Sequence, residues 1–124
     1  MTQRIAILAD DLIWATRLVE LVRGAGATPV PVRSAAGLDA ALSGVDGAIV
    51  DLTARGYDGV AAIAAGRAAN LPVLAVGQHD DRALRQRALA AGADHVHPYR
   101  RLFEDGPRQI GAWLAEAHAA KPGA

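Results

Sequence analysis

The sequence has no cysteine, few aromatic residues and no excess charge of either sign. The absence of cysteine excludes disulfides, thiolate metal sites and cysteine nucleophiles. Aromatic residues make up 4% of the chain, so a core must be built from Val, Ile, Leu and Ala. Thirteen basic residues balance thirteen acidic ones, whereas nucleic-acid binders commonly carry a basic excess that neutralises phosphates.

Long hydrophobic runs are also missing. No apolar stretch approaches the roughly 18 residues of a membrane span. The first residues lead at once into a strand-like run, without the pattern of a signal peptide. We therefore expect a soluble cytoplasmic protein that binds neither nucleic acid nor membrane.

The 124 residues fit one domain, which we predict at 1–120, followed by a short C-terminal tail at 121–124. Within it, short apolar runs alternate five times with helical patterns. The predicted strands lie at 4–9, 28–32, 48–50, 72–76 and 94–97. The predicted helices lie at 12–23, 35–42, 60–69, 82–91 and 104–120, with Ser34 capping the second and Asp80 or Asp81 the fourth.

Five βα units predict an α/β fold with a parallel sheet, right-handed crossovers and helices on both faces. Pro29 and Pro31 are two residues apart, so their backbones point to the same side of strand two. Because proline cannot donate a ladder hydrogen bond, that side belongs at an open edge. Strand five is short and polar, which also favours an edge. The predicted order is 2-1-3-4-5, the flavodoxin-like doubly wound (βα)5 arrangement.

In that order strands one and three are neighbours, and their carboxyl ends meet at the switch point where such sheets bind ligands. Asp10, Asp11 and Asp51 stand there. Like charges this close need a cation or raised pKa values. Mg²⁺ takes one or two carboxylates, backbone oxygens and waters. We therefore predict a Mg²⁺ site at these three carboxylates, with the backbone carbonyl of Thr53 as a further ligand.

Nucleotide and flavin sites of the same fold class are disfavoured. They need glycine amides and a helix N-terminus after strand one, where this chain carries two aspartates. The sequence has neither a strand followed by G-x-G-x-x-G nor G-x-x-x-x-G-K-[ST]. A small flavodoxin-like protein or hydrolase is therefore the weakest of the functional hypotheses.

Four motifs together resemble response-regulator receiver domains (the CheY-like family) over nearly the whole chain. They are ILADD at 7–11, AIVDLTARGYDG at 48–59, LPVLAVG at 71–77 and ALAAGADH at 88–95. The resemblance implies that Asp51 accepts a phosphoryl group from a histidine kinase or phosphotransfer protein. It also implies that Asp10 and Asp11 hold Mg²⁺, with the Thr53 carbonyl assisting. A carboxylate is a feasible nucleophile for such a transfer.

Two positions depart from the family pattern. Receivers end strand four in Thr or Ser, where this chain has Gly77. They end strand five in a lysine followed by proline, and no lysine is present at 95–101. An ungapped alignment places Tyr99 and Arg100 at the Lys-Pro positions, whereas a two-residue deletion places His97 and Pro98 there. The sequence leaves both alignments open.

These departures predict an atypical, degenerate receiver that acts in two-component signalling through protein contacts. It would catalyse at most its own aspartyl phosphorylation and dephosphorylation. The alternative is a phosphorylation-independent pseudo-receiver that serves as an adaptor or dimerisation module. Ile13 and Trp14 follow the acidic pair outside the buried stripe of the first helix, so we predict a partner surface there. The alternative is that Trp14 packs beside Leu18 at the margin of that stripe. The partner would be a kinase, a phosphotransfer protein or a second copy of the chain.

Overall fold

The computed structural model describes residues 2–78 and 80–120, so the predicted tail at 121–124 lies outside the described residues. The strands are β1 (Arg4–Leu8), β2 (Thr28–Val32), β3 (Gly47–Asp51), β4 (Val73–Gly77) and β5 (His95–Pro98). The helices are α1 (Leu12–Gly24), α2 (Ala35–Ala41), α3 (Gly59–Ala68), α4 (Arg82–Ala91) and α5 (Tyr99–Ala120), with a 3₁₀ turn at Leu42–Gly44. In this part of the chain no helix is both long and apolar enough to span a membrane.

The five strands form one parallel sheet in the order β2-β1-β3-β4-β5. This confirms the flavodoxin-like doubly wound fold and places β2 and β5 at the edges. Thr28 donates from its N–H to the carbonyl of Gln3, and the carbonyl of Val32 accepts from Ala9. The even-numbered residues of β2 therefore face β1, and the two prolines turn their missing donors to the open edge.

Apolar side chains cover both faces of the sheet. In β1, Ile5 and Ile7 lie in one core cluster, and Ala6 and Leu8 lie in the other. Helices α1 and α5 pack on the first face, whereas α2, α3 and α4 pack on the second. Central strands buried on both sides explain why their sequences are continuously apolar rather than alternating.

Four helices begin at a side chain that accepts a hydrogen bond from a backbone N–H of the first turn. The capping residues are Asp11, Ser34, Asp58 and Asp81, for α1 to α4 in order. Such caps satisfy one of the free N–H groups at a helix start. The Ser34 cap is confirmed, and Asp81 rather than Asp80 caps α4.

The predicted start of α5 is wrong. The helix begins at Tyr99, five residues before the predicted Glu104, and is kinked at Asp105, which has a non-helical φ of −146°. Pro107 causes the break, because it lacks an N–H and its ring clashes with the preceding turn. The sequence pattern predicted only the segment after this break. The earlier turn is held by the burial of Leu102.

Candidate functional site

The carboxyl ends of β1 and β3 enclose a surface pocket of about 410 Å³. Leu8 of β1 pairs with Val50 of β3, so the residues that follow the two strands emerge side by side. The pocket is lined by Asp10, Asp11, Trp14, Asp51, Thr53, Ala54 and Arg55. The structure thus brings the three predicted carboxylates and Thr53 to one pocket at the switch point of the sheet.

Asp51 is the one buried charged side chain among the described residues, with 1% of its surface exposed. Its Oδ1 accepts hydrogen bonds from the Thr53 backbone N–H (3.0 Å), the Thr53 hydroxyl (2.9 Å) and the Tyr99 hydroxyl. The two hydroxyl oxygens are themselves 2.5 Å apart. These donors explain how a carboxylate is buried, since buried charges need hydrogen-bond partners. None of the three bonds falls on Oδ2.

Asp10 and Asp11 each use one carboxylate oxygen to organise the backbone. Asp10 Oδ2 accepts from the N–H of Gly56 (3.0 Å), which fastens the β3–α3 loop to the end of β1. Asp11 Oδ1 accepts from the N–H of Trp14 (3.0 Å) and caps α1. A Cβ at Gly56 would stand 2.9 Å from Asp10 Oδ2, so a larger residue would require the carboxylate or the loop to shift.

The chemistry of the donors fits a hard cation such as Mg²⁺, because all of them are oxygens and Mg²⁺ uses only one or two carboxylates. The described residues, however, contain no group of three or more Asp, Glu, His or Cys side chains arranged to hold one metal ion. The carboxylates share a pocket while being turned toward separate backbone partners. Magnesium ligation by Asp10, Asp11, Asp51 and the Thr53 carbonyl stays a prediction.

Tyr99, the first residue of α5, is the candidate for the lysine position that contacts Asp51. Its ring packs at a tilt of 35° on Trp14 with centroids 3.7 Å apart, and the Phe103 ring stacks on Trp14 with centroids 4.8 Å apart. The guanidinium of Arg17 lies 4.5 Å from the centre of the Phe103 ring. We call Tyr99, Trp14 and Phe103 the aromatic stack. Burial and the hydrogen bond to Asp51 raise the pKa of the Tyr99 phenol, so the hydroxyl is neutral at physiological pH.

The other two candidates for the lysine position lie elsewhere. Arg100 is exposed and pairs with Glu104 at 3.0 Å. The ring of His97 stacks on that of His95, with centroids 5.6 Å apart, in a second pocket beside β5. Burial, then the nearby His95 and Arg101, lower the pKa of His97. Neither side chain brings a cation to Asp51 in this structure.

Gly77 ends β4 beside Leu52. A Cβ at this position would meet the Leu52 side chain at 3.4 Å, which is an ordinary van der Waals contact. Space therefore does not require glycine here.

The predicted partner surface divides into two parts. Ile13 is 67% exposed and its neighbour Leu12 is 69% exposed, and both line a shallow groove on α1. Trp14 is half-buried because it belongs to the aromatic stack. Of the two predicted residues, Ile13 thus presents free apolar surface, together with its neighbour Leu12.

Sequence reasoning missed two residues of the β3–α3 loop. Arg55 contributes a cationic side chain to the lining of the acidic pocket. The Tyr57 hydroxyl lies 3.0 Å from the carbonyl of Leu8 and 2.7 Å from that of Asp51, so it ties β1 to β3 directly below the site. Burial and the charge of Asp51 raise the pKa of Tyr57. The sequence did offer one indication of their role, because both residues stand in the short loop that follows Asp51.

Comparison with solved structures supports the fold. A receiver domain of a modulated diguanylate cyclase from Desulfovibrio desulfuricans superposes with a TM-score of 0.80 at 19% identity, covering 98% of this chain and 100% of that one. A CheY-like receiver domain protein from Methanospirillum hungatei gives 0.73 at 18%, covering 94% and 99%. The receiver domain of a Pseudomonas aeruginosa sensor histidine kinase, solved with a magnesium ion in its active site cleft, gives 0.78 at 18%, covering 93% and 99%.

No protein-family model matches the sequence, and no curated protein is similar to it. The similarity is therefore one of fold. At identities of 18–19% the structural matches show a receiver-type architecture over nearly the full length of the described chain.

Proposed function

We propose that this chain is an atypical receiver domain of two-component signalling, which acts through protein contacts and uses Asp51 as a phosphoacceptor. The observation that supports it best is the setting of Asp51. A buried carboxylate ends the central strand of a receiver-type sheet and faces a pocket lined by two further carboxylates and an arginine. A carboxylate buried only for structural reasons would not need this charged and open surrounding.

The proposed reaction is the transfer of a phosphoryl group from a phosphohistidine. A carboxylate oxygen of Asp51 attacks phosphorus, the P–N bond breaks, and the electron pair and a solvent proton end on the imidazole nitrogen. Arg55 offers positive charge beside the incoming group. A Mg²⁺ ion held by Asp10, Asp11 and Asp51 with the Thr53 carbonyl would neutralise further charge. Such catalysis depends on positioning and electrostatics more than on acid–base chemistry.

The partner that fits this reaction is a histidine kinase or phosphotransfer protein. It would approach the acidic pocket across the exposed Leu12 and Ile13 on α1. Apolar side chains beside a charged pocket are typical of protein interaction surfaces.

Incubation of the protein with Mg²⁺ and a small phosphodonor such as phosphoramidate tests the proposal. We expect intact-mass spectrometry to detect one added phosphoryl group, and the Asp51→Asn variant to lose it completely. Asp58→Asn is the matched control, because Asp58 lies in the same loop but caps α3. The proposal fails if the wild type gains no phosphoryl group, or if Asp51→Asn gains it equally.

A phosphorylation-independent adaptor is the second candidate. It is favoured by Gly77, which offers no hydroxyl, and by the neutral Tyr99 in contact with Asp51. A conformational switch needs contacts that differ between its two states, and both usual sources are altered here. Backbone amide NMR with Mg²⁺ and beryllofluoride separates the candidates. Shifts confined to the acidic pocket favour the adaptor, whereas shifts that extend to β4, β5 and α5 favour the switch.

A further inference from the structure

The two carboxylate oxygens of Asp51 are in unequal surroundings. Oδ1 accepts from the Thr53 N–H, the Thr53 hydroxyl and the Tyr99 hydroxyl, whereas none of these donors reaches Oδ2. We propose that Tyr99 is a positioning residue that caps Oδ1, restrains the reactivity of Asp51 and leaves Oδ2 as the oxygen available to an incoming phosphoryl group. This inference deepens the proposed function and, in its rate prediction, rests on it.

The aromatic stack holds the Tyr99 hydroxyl in place against Asp51 Oδ1; we call this contact the cap. Trp14 contacts the rings of both Tyr99 and Phe103, at 3.7 Å and 4.8 Å between centroids. Tyr99 is the first residue of α5. Trp14 lies in the first turn of α1, where its backbone N–H donates to Asp11 Oδ1. The phenol therefore reaches Asp51 from a ring packed between contacts of two helices. The ring cannot carry the hydroxyl away from Asp51 without displacing Trp14.

Removing the hydroxyl should make Asp51 more reactive. A hydrogen bond to a charged acceptor stabilises the carboxylate, and part of that stabilisation is lost when the carboxylate attacks phosphorus. Tyr99→Phe keeps the ring in the aromatic stack and deletes the donor. We expect it to react with phosphoramidate about tenfold faster than the wild type, which corresponds to the loss of one such bond.

Tyr57→Phe is the matched control. It also deletes one buried hydroxyl at the site, but that hydroxyl contacts the backbone carbonyls of Leu8 and Asp51 rather than the carboxylate. A general loosening of the pocket would accelerate both variants, whereas the cap predicts acceleration of Tyr99→Phe alone. An equal or slower rate for Tyr99→Phe than for the wild type overturns the inference, as does equal acceleration of both variants.

Amide NMR without any phosphodonor gives a second, independent readout. Tyr99→Phe should shift the Thr53 amide, which shares Oδ1 with the lost donor, and leave the amide of Asp94 at the opposite end of the sheet unchanged. Absence of phosphoryl incorporation in every variant would overturn the proposed function alone, and the cap is then decided by this shift. An unchanged Thr53 amide overturns the cap.

Discussion

The sheet edge formed by the carboxyl ends of the strands has two halves, one at β1 and β3 and one at β4 and β5, and they carry different side chains. At β1 and β3, Asp10, Asp11 and Asp51 line one pocket with Thr53. Beyond them, Gly77 ends β4 and offers no hydroxyl, and Tyr99, the residue that follows β5, contacts Asp51. In the proposed function, the first half would supply the groups that bind and react, and the second the groups that respond. The chain thus combines three carboxylates at one part of this edge with a glycine and a neutral tyrosine at the other.

The largest effect should come from restoring the second half. The double variant Gly77→Thr/Tyr99→Lys returns a hydroxyl and a cation to the site, and the space beside Leu52 accepts a Cβ at residue 77. Hydrogen bonds to charged groups contribute roughly 1.5–3 kcal/mol each. We expect beryllofluoride to bind about 100-fold more tightly in the presence of Mg²⁺, as measured by fluorescence or calorimetry.

The matched control for this restoration is Gly111→Ala, which adds a methyl group on α5 where nothing lies within 4 Å. It should leave beryllofluoride binding unchanged and increase stability by up to about 1 kcal/mol, the helix preference of Ala over Gly. If the double variant binds beryllofluoride no better than the wild type, the altered half is not what limits the response.

A smaller effect is expected from disturbing the first half. In Gly56→Ala the new Cβ would stand 2.9 Å from Asp10 Oδ2, so either the carboxylate or the loop must shift. We expect Mg²⁺ affinity to fall about tenfold, the effect of losing roughly 1.4 kcal/mol of ligand positioning. Isothermal calorimetry measures it. Unchanged affinity would mean that the contact between Gly56 and Asp10 does not position a metal ligand.

The smallest expected effect is a pH dependence of stability that arises from His97 in β5. His97 has a lowered pKa in the folded chain, because of burial and the neighbouring His95, Arg101 and Arg85. The unfolded chain, with an ordinary histidine pKa of about 6.5, then binds the proton more readily. The free energy of unfolding should therefore be at its full value above about pH 6.5 and should decrease as the pH drops below that value. The charge of Glu116 opposes this shift but does not reverse it.

Urea unfolding at a series of pH values checks this dependence. His97→Gln removes the titrating group and should flatten the curve below about pH 6.5. His95 is a poor choice for this test, because its Nε2 lies 2.7 Å from Glu116 Oε2 and its replacement breaks that hydrogen bond. An identical pH dependence in the wild type and in His97→Gln would contradict the prediction.

The sheet order followed from local signals that carry a steric meaning. Pro29 and Pro31 excluded β2 from the interior of the sheet, and the short polar run around Val96 placed β5 at the other edge. Helix starts were likewise readable, because Ser34 and Asp81 satisfy free N–H groups from within a few residues of sequence.

Contacts between distant segments were less predictable. The Tyr99 hydroxyl meets Asp51 across 48 positions of sequence, and two alignments of strand five were equally compatible with the chain. Which residue meets Asp51 depended on where α5 begins, and that in turn depended on how Leu102 packs before the break at Pro107. The pattern of apolar and polar residues along the sequence does not predict such packing between distant segments.

The sequence by itself determined the parallel sheet, its order and the meeting of three aspartates at one edge, because strand patterning and proline chemistry act over short distances. Only the tertiary structure decided which way each carboxylate turns and that a neutral tyrosine, held by the aromatic stack, covers Asp51. The physical reason is that a side chain's direction depends on every neighbour it packs against, and those neighbours come from α1, β3 and α5 together.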